Sequence, residues 1–207
     1  MIILIGNQKG GAGKSTVTLL LANYLTQAKK KAVTIIDMDY QQSVAQKYER
    51  AKLLENAEPY TVVAASLEHF PGMKNIMSAD GAQIVLIDLP GKLDDDGLIP
   101  VFEAADLVIC PFSYDEFSFE STILFSVVLR KINGKVPLVY IPNRVKANVR
   151  YETRTDVDDQ LARLGLVTSP LPDRVDFQRV STFQTPLAVL PAVLDAFETI
   201  YKQFIYE

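Results

Sequence analysis

Two lysines flank a glycine-rich turn near the start of the chain, in the run Gln8-Lys9-Gly10-Gly11-Ala12-Gly13-Lys14-Ser15-Thr16. Glycines let a backbone curl until successive N–H groups point into one concavity, and a following helix adds the positive end of its dipole. That combination favours a polyphosphate. Gly10, Gly11, Ala12, Gly13 and Thr16 would then line the turn, Lys14 would reach the β- and γ-phosphates of a nucleotide, and the Ser15 hydroxyl would bind Mg²⁺. The usual phosphate-loop pattern, G-x-x-x-x-G-K-[ST], is departed from at its first position, which holds Gln8, and a second lysine, Lys9, is added at the tip. Two ammonium groups crowded on one loop repel each other unless an anion lies near both.

Acids stand where such a site needs them. Asp37-Met38-Asp39 follows the run Ala32-Val33-Thr34-Ile35-Ile36, and Asp88 ends the run Gln83-Ile84-Val85-Leu86-Ile87. Ligands of open α/β sheets gather outside the carboxyl ends of strands, so Asp37 and Asp39 fall near the loop. Carboxylates two residues apart on an extended strand end point the same way. One can support a metal ion while the other holds an attacking water. Asp94-Asp95-Asp96 lacks the alternation of a calcium loop and reads as solvated.

The elements that must carry these residues alternate. Apolar runs at Ile2–Ile5, Ala32–Asp37, Tyr60–Ala64, Gln83–Asp88, Asp106–Pro111 and Pro137–Ile141 read as strands. Between them lie helical stretches: one after the loop, Ser43–Leu54, Ser66–Met77 broken at Pro71-Gly72, Leu98–Ala104 and Phe117–Lys131. Strands alternating with helices imply crossover connections, hence an α/β fold whose mainly parallel, twisted sheet is covered by helices on both faces. At 207 residues the expectation is a single domain over 1–207. No apolar run reaches the roughly 18–20 residues of a membrane span, and the start lacks the basic and cleavable segments of a secretory signal. The expected place is therefore the cytoplasm. Cys110 is the lone cysteine, excluding an internal disulfide, and the lone His69 has no partner ligands for a metal.

Net charge is −4, yet residues 130–179 carry ten Lys/Arg against six Asp/Glu. Within that stretch Arg144, Lys146, Arg150 and Arg154 recur around Tyr151, and the spacing of four predicts Arg150 and Arg154 on one helix face. Such a cluster either binds phosphate backbones without reading bases or is a plain solvated helix. The last stretch, Leu187–Glu207, places Val193, Phe197, Ile200 and Phe204 at helical spacing. With Asp195, Glu198 and Glu207 against Lys202, its expected role is packing against the domain rather than gripping an anionic membrane.

The Lys-Gly-Gly-x-Gly-Lys-[ST] run resembles the deviant Walker A motif of the ParA/MinD family of P-loop ATPases, and the order of acidic strand ends extends the resemblance along the chain. It implies ATP and Mg²⁺ as cofactors and slow ATP hydrolysis. Lys9 would cross a homodimer interface to the partner's nucleotide. The family's Asp-x-Asp-Pro-Gln-Gly-Ser is similar to Asp37-Met38-Asp39-Tyr40-Gln41-Gln42-Ser43, with Tyr40 in place of proline and Gln42 in place of glycine. By that likeness Asp39 orients the water, Asp37 supports the metal, and Asp88 matches the Walker B aspartate. Asn143, after the Pro137–Ile141 strand, would either contact the adenine or cap a turn. The chain looks like a short ParA type without the N-terminal DNA-reading extension. The implied partners are nonspecific DNA, through Arg144, Lys146, Arg150 and Arg154, and a separate ParB-like adaptor. The implied setting is the nucleoid, with no stable membrane association. The competing expectations are a membrane-positioning ATPase of the MinD kind and a metabolic enzyme like dethiobiotin synthetase.

Overall fold

The four side chains of β1 (Ile2–Ile5) divide by the two-residue period of a strand: Ile3 and Ile5 enter one core, Ile2 and Leu4 another. A strand apolar on both faces needs helices on both sides, and the fold supplies them. The computed structural model describes residues 1–52, 57–77 and 83–206. Among these, β1 joins β2 (Val33–Asp37), β3 (Thr61–Ala64), β4 (Ile84–Asp88), β5 (Leu107–Phe112), β6 (Leu138–Pro142) and β7 (Leu166–Val167). They form one sheet in the order β3-β2-β4-β1-β5-β6-β7, with every neighbouring pair parallel.

On the Ile3 face pack α1 (Lys14–Gln27), α2 (Ser43–Lys52) and α7 (Val189–Ile200). The other face carries α3 (Phe70–Met77), α4 (Leu98–Glu103), α5 (Glu116–Ile132) and α6 (Arg154–Ala162). The chain leaves β1 through α1 towards β2 on one side and returns from β4 through α4 to β5 on the other. That reversal opens a crevice at the carboxyl end of β1, where the glycine-rich turn lies.

Two expectations about elements change. Pro71-Gly72 does not break its helix, because both lie in the first turn of α3, where a missing N–H costs no hydrogen bond. Arg150 and Arg154 do not share a helix face: α6 begins only at Arg154, after the turn in which Arg154 N–H donates to the Tyr151 carbonyl (3.2 Å). The helix expected over Ser43–Leu54 is present from Ser43 to Lys52, and Leu53 and Leu54 lie outside the described residues. The C-terminal stretch does pack inward. Val193, Phe197 and Ile200 of α7 are buried, with the Phe197 ring 5.6 Å from that of Tyr24 on α1.

Candidate nucleotide-binding site

The turn after β1 is held open by its glycines. Gly11 and Gly13 have φ of 78° and 95°, left-handed values that L side chains adopt at a cost. From Gly10 to Thr16 no backbone N–H donates to another described residue, and the first bond of α1 runs from Val17 N–H to the Gly13 carbonyl (2.9 Å). A run of free donors at a helix N-terminus is a built anion site. It borders a cavity of about 520 Å³ lined by Lys14, Ser15 and Thr16, by Asp39 and Tyr40 after β2, and by Gly91 after β4. The Lys14 amine lies 3.3 Å from where a Cβ on Gly91 would sit, so the glycine leaves room for it.

Two buried asparagines brace the loop from beneath. Asn143 donates from Nδ2 to the Ala12 carbonyl (2.9 Å). Asn7 accepts from Lys9 N–H (3.1 Å) and donates to the Pro111 carbonyl and the Thr122 hydroxyl (both 2.9 Å). Asn143 therefore spends one of its two amide donors on the phosphate loop while it lines a second cavity, of about 400 Å³.

Asp88 ends β4 beside Ile5 of β1 and Asp37 of β2, completely buried. Its Oδ1 accepts from the Thr18 hydroxyl (3.3 Å), while Oδ2 has no partner among the described residues. Burial, opposed by the Ser15 hydroxyl and reinforced by the Asp37 charge, pushes the Asp88 carboxyl up to about 7. A buried carboxylate oxygen with nothing to bind, next to Ser15, fits a divalent cation: Ser15 and Asp88 would hold Mg²⁺.

Asp37 is otherwise engaged. Its carboxylate accepts from Asp39 N–H (3.2 Å) and from Val44 and Ala45 N–H (both 3.0 Å), tying down the first turn of α2. Burial raises its pKa and these N–H groups oppose the rise. Asp37→Ala would strand three donors, so its expected cost is about 2–4 kcal/mol. A thermal melt without nucleotide should fall by roughly 5–12 °C; an unchanged melt would mean the helix start does not depend on this carboxylate. Asp39, half-buried, faces the cavity and is free on one oxygen, the other accepting from Gln41 N–H (2.9 Å). Gln42, standing where the family pattern has glycine, adopts φ 47°, so a left-handed turn is formed here with a side chain in it. Tyr40, in the proline position, donates to Asp95 (3.1 Å) and so joins the loops after β2 and β4.

Lys9 does not point into empty space. Its ammonium pairs with Asp115, the N-cap of α5, which also accepts from Ser118 N–H (2.9 Å) and the Ser113 hydroxyl (2.5 Å). Burial works against the Asp115 charge, but Lys9 and the two donors outweigh it and hold the carboxyl below its usual range.

The four cations of the basic stretch have different settings. Arg144 lines both cavities and Lys146 the second. Arg154 pairs with Asp158 (3.6 Å) and sits over the Tyr114 ring (5.6 Å to its centroid). Arg150 is exposed in the preceding turn. Asn7, Thr18 and Asp115 were not expected at the site. Only Asn7 left a trace, a polar residue closing an apolar strand just before the glycines.

The family model for the CobQ/CobB/MinD/ParA nucleotide binding domain matches residues 3–187. A protein of Gloeobacter kilaueensis named maintenance of carboxysome distribution protein A is 29% identical over 110 residues, 53% of this chain. The match spans about half (48%) of that relative's length. Among solved structures, a protein described as a plasmid partition protein of Borrelia burgdorferi, bound to AMPPNP, superposes with TM-score 0.75 at 24% identity over 98% of both chains. MinD of Aquifex aeolicus gives 0.74 at 17% identity, over 99% of this chain and 98% of its own. Apo McdA of Cyanothece gives 0.70 at 14%, over 97% and 98%.

Proposed function

Because the chain belongs to the CobQ/CobB/MinD/ParA nucleotide-binding family, we propose that it is an ATPase whose ATP-bound form self-associates and positions or partitions a cellular cargo. The observation that carries this is the row of unpaired N–H groups from Gly10 to Thr16 with Lys14 beside it. Phosphoryl transfer asks a protein mainly for positioning and for cations. Lys14 supplies charge to the phosphates, and Asp39 has an oxygen free to align water. Bound Mg²⁺, held by Ser15 and Asp88, would neutralise charge between phosphates. Hydrolysis would then end the self-associated state. The second cavity, lined by Asn143, Asp173 and Phe177, suits a heterocyclic base.

The likeness in fold to MinD equals that to a partition protein, so the choice of surface rests on this chain's own residues. Nonspecific duplex DNA is the reading we favour, through Arg150 with Lys146 and Arg154, and with a ParB-like adaptor bringing the cargo to a nucleoid-bound dimer. The apolar side of α7 is packed on α1, which removes that face from membrane contact. The test is retention with ATP and Mg²⁺ on random duplex DNA and, in parallel, on anionic phospholipid vesicles. DNA retention that needs ATP, falls steeply with salt and weakens severalfold in Arg150→Ala is expected. Retention on vesicles alone would select the MinD-like alternative. ATP turnover stimulated by a small acid, without self-association, would point to a metabolic enzyme like dethiobiotin synthetase.

A further inference from the structure

The two cavities at the carboxyl end of the sheet share two lining residues, Thr16 and Arg144. Arg144 follows β6 with φ 57°. An arginine has no short polar group to offset that left-handed conformation, which costs about 1–2 kcal/mol. The chain fixes it from both sides. Asn143 N–H donates to the Phe112 carbonyl (2.6 Å), Val145 N–H to the Leu171 carbonyl (3.1 Å), and Asp173 N–H to the Val145 carbonyl (3.0 Å). The root of the Arg144 side chain is thereby set at the junction of the cavities. Its guanidinium has no hydrogen-bond or ion-pair partner among the described residues, whereas nearby Arg154 and Arg174 hold Asp158 and Asp176.

We infer that Arg144 is a nucleotide clamp, its guanidinium closing on the α-phosphate end of a bound nucleoside di- or triphosphate, and not part of a nucleic-acid surface. This rests on the nucleotide-binding reading of the site. A ligand with its terminal phosphates on the glycine-rich turn and its base in the second cavity must pass between Thr16 and Arg144. The groups that pass there are the α-phosphate and the ribose. Thr16 offers a free helix N–H from one side, and the five donors of a guanidinium meet phosphate oxygens from the other. Such a contact is the same with ADP as with ATP. Arg144 therefore adds affinity for the nucleotide without sensing the γ-phosphate, a task left to Lys14 and Lys9.

Calorimetric titration of ADP and ATP into the wild type, Arg144→Gln, Arg144→Lys and Arg150→Ala tests this. Arg144→Gln should weaken both nucleotides by the same factor, about tenfold or more, with Arg144→Lys between it and wild type and Arg150→Ala unchanged. In the wild type itself, ADP should protect Arg144, but not Arg150, from phenylglyoxal, read by peptide mass; this measurement does not depend on a variant folding. Arg144→Gln binding both nucleotides as wild type does, losing ATP alone, or Arg144 modified equally with and without ADP would each overturn the clamp. A wild type that takes up neither nucleotide would fail earlier, bringing down the nucleotide-binding reading and the clamp with it.

Discussion

Gly13→Ala should lose at least a hundredfold in affinity for both ADP and ATP, while Gly11→Ala loses only about tenfold. Both glycines are left-handed, at φ 95° and 78°, and alanine in that region costs about 1–2 kcal/mol at either place. They differ in what a methyl group would meet. At Gly11 nothing lies within 4 Å, whereas at Gly13 the new Cβ would stand 2.2 Å from Nδ2 of Asn143. Asn143 is buried and its amide holds the Ala12 carbonyl at 2.9 Å. It cannot swing away without freeing the loop. Backbone strain and the lost brace together amount to about 3 kcal/mol, which is where the hundredfold comes from. Calorimetry gives the affinities; in the free protein the loop relaxes out of the nucleotide-binding shape, so most of this cost falls on binding and a melt without nucleotide should fall by only a few degrees. Gly13→Ala binding within threefold of wild type would mean that the Asn143 contact does not shape the loop.

That contact also shows where sequence reading stops. The phosphate-loop residues were legible because their chemistry is local: glycine spacing, a lysine and a hydroxyl residue opening a helix. Asp88 was legible as the acid ending a strand apolar on both faces. Asn143 lay in view, but its partner is 131 residues away, and no local pattern says that its donor goes to Ala12 rather than to a base. Asp37 and Asp39 looked alike in sequence, two acids on one strand end. They part company because α2 starts where its free N–H groups meet Asp37 and not Asp39. Arg150 and Arg154 do not share a helix face for a similar reason. A spacing of four makes a face only inside a helix, and α6 starts at the second of the two arginines. Asp115 was not singled out at all, since nothing in its neighbourhood announces that Lys9 lies against it in the fold.

Lys9→Ala should still bind ATP, within about threefold of wild type, yet raise the dissociation constant of the ATP-bound dimer a hundredfold or more. In the single chain Lys9 rests on Asp115, with the two side chains 30% and 46% exposed. Exposed ion pairs of this kind are worth about 0–1 kcal/mol. In the proposed dimer a triphosphate in the partner subunit, carrying several charges in a site shielded from water, would attract the same ammonium far more strongly, and truncating one member of such a desolvated pair costs about 2–5 kcal/mol. In the proposed site Lys14 would keep each chain's own nucleotide, which is why ATP affinity should barely move. Asp115→Asn separates the resting place from the destination. Asparagine still caps α5 and accepts from Ser118 N–H, but it gives up the charge that holds Lys9, so the ATP-bound dimer should tighten by up to about fivefold. Sedimentation velocity with ATP, ADP and no nucleotide reads both variants. A Lys9→Ala protein that dimerises with ATP as well as wild type would leave this lysine no role across the interface. A dimer weakened by Asp115→Asn would place Asp115 among the residues that meet the partner, because a mere resting place can only compete with association and never assist it.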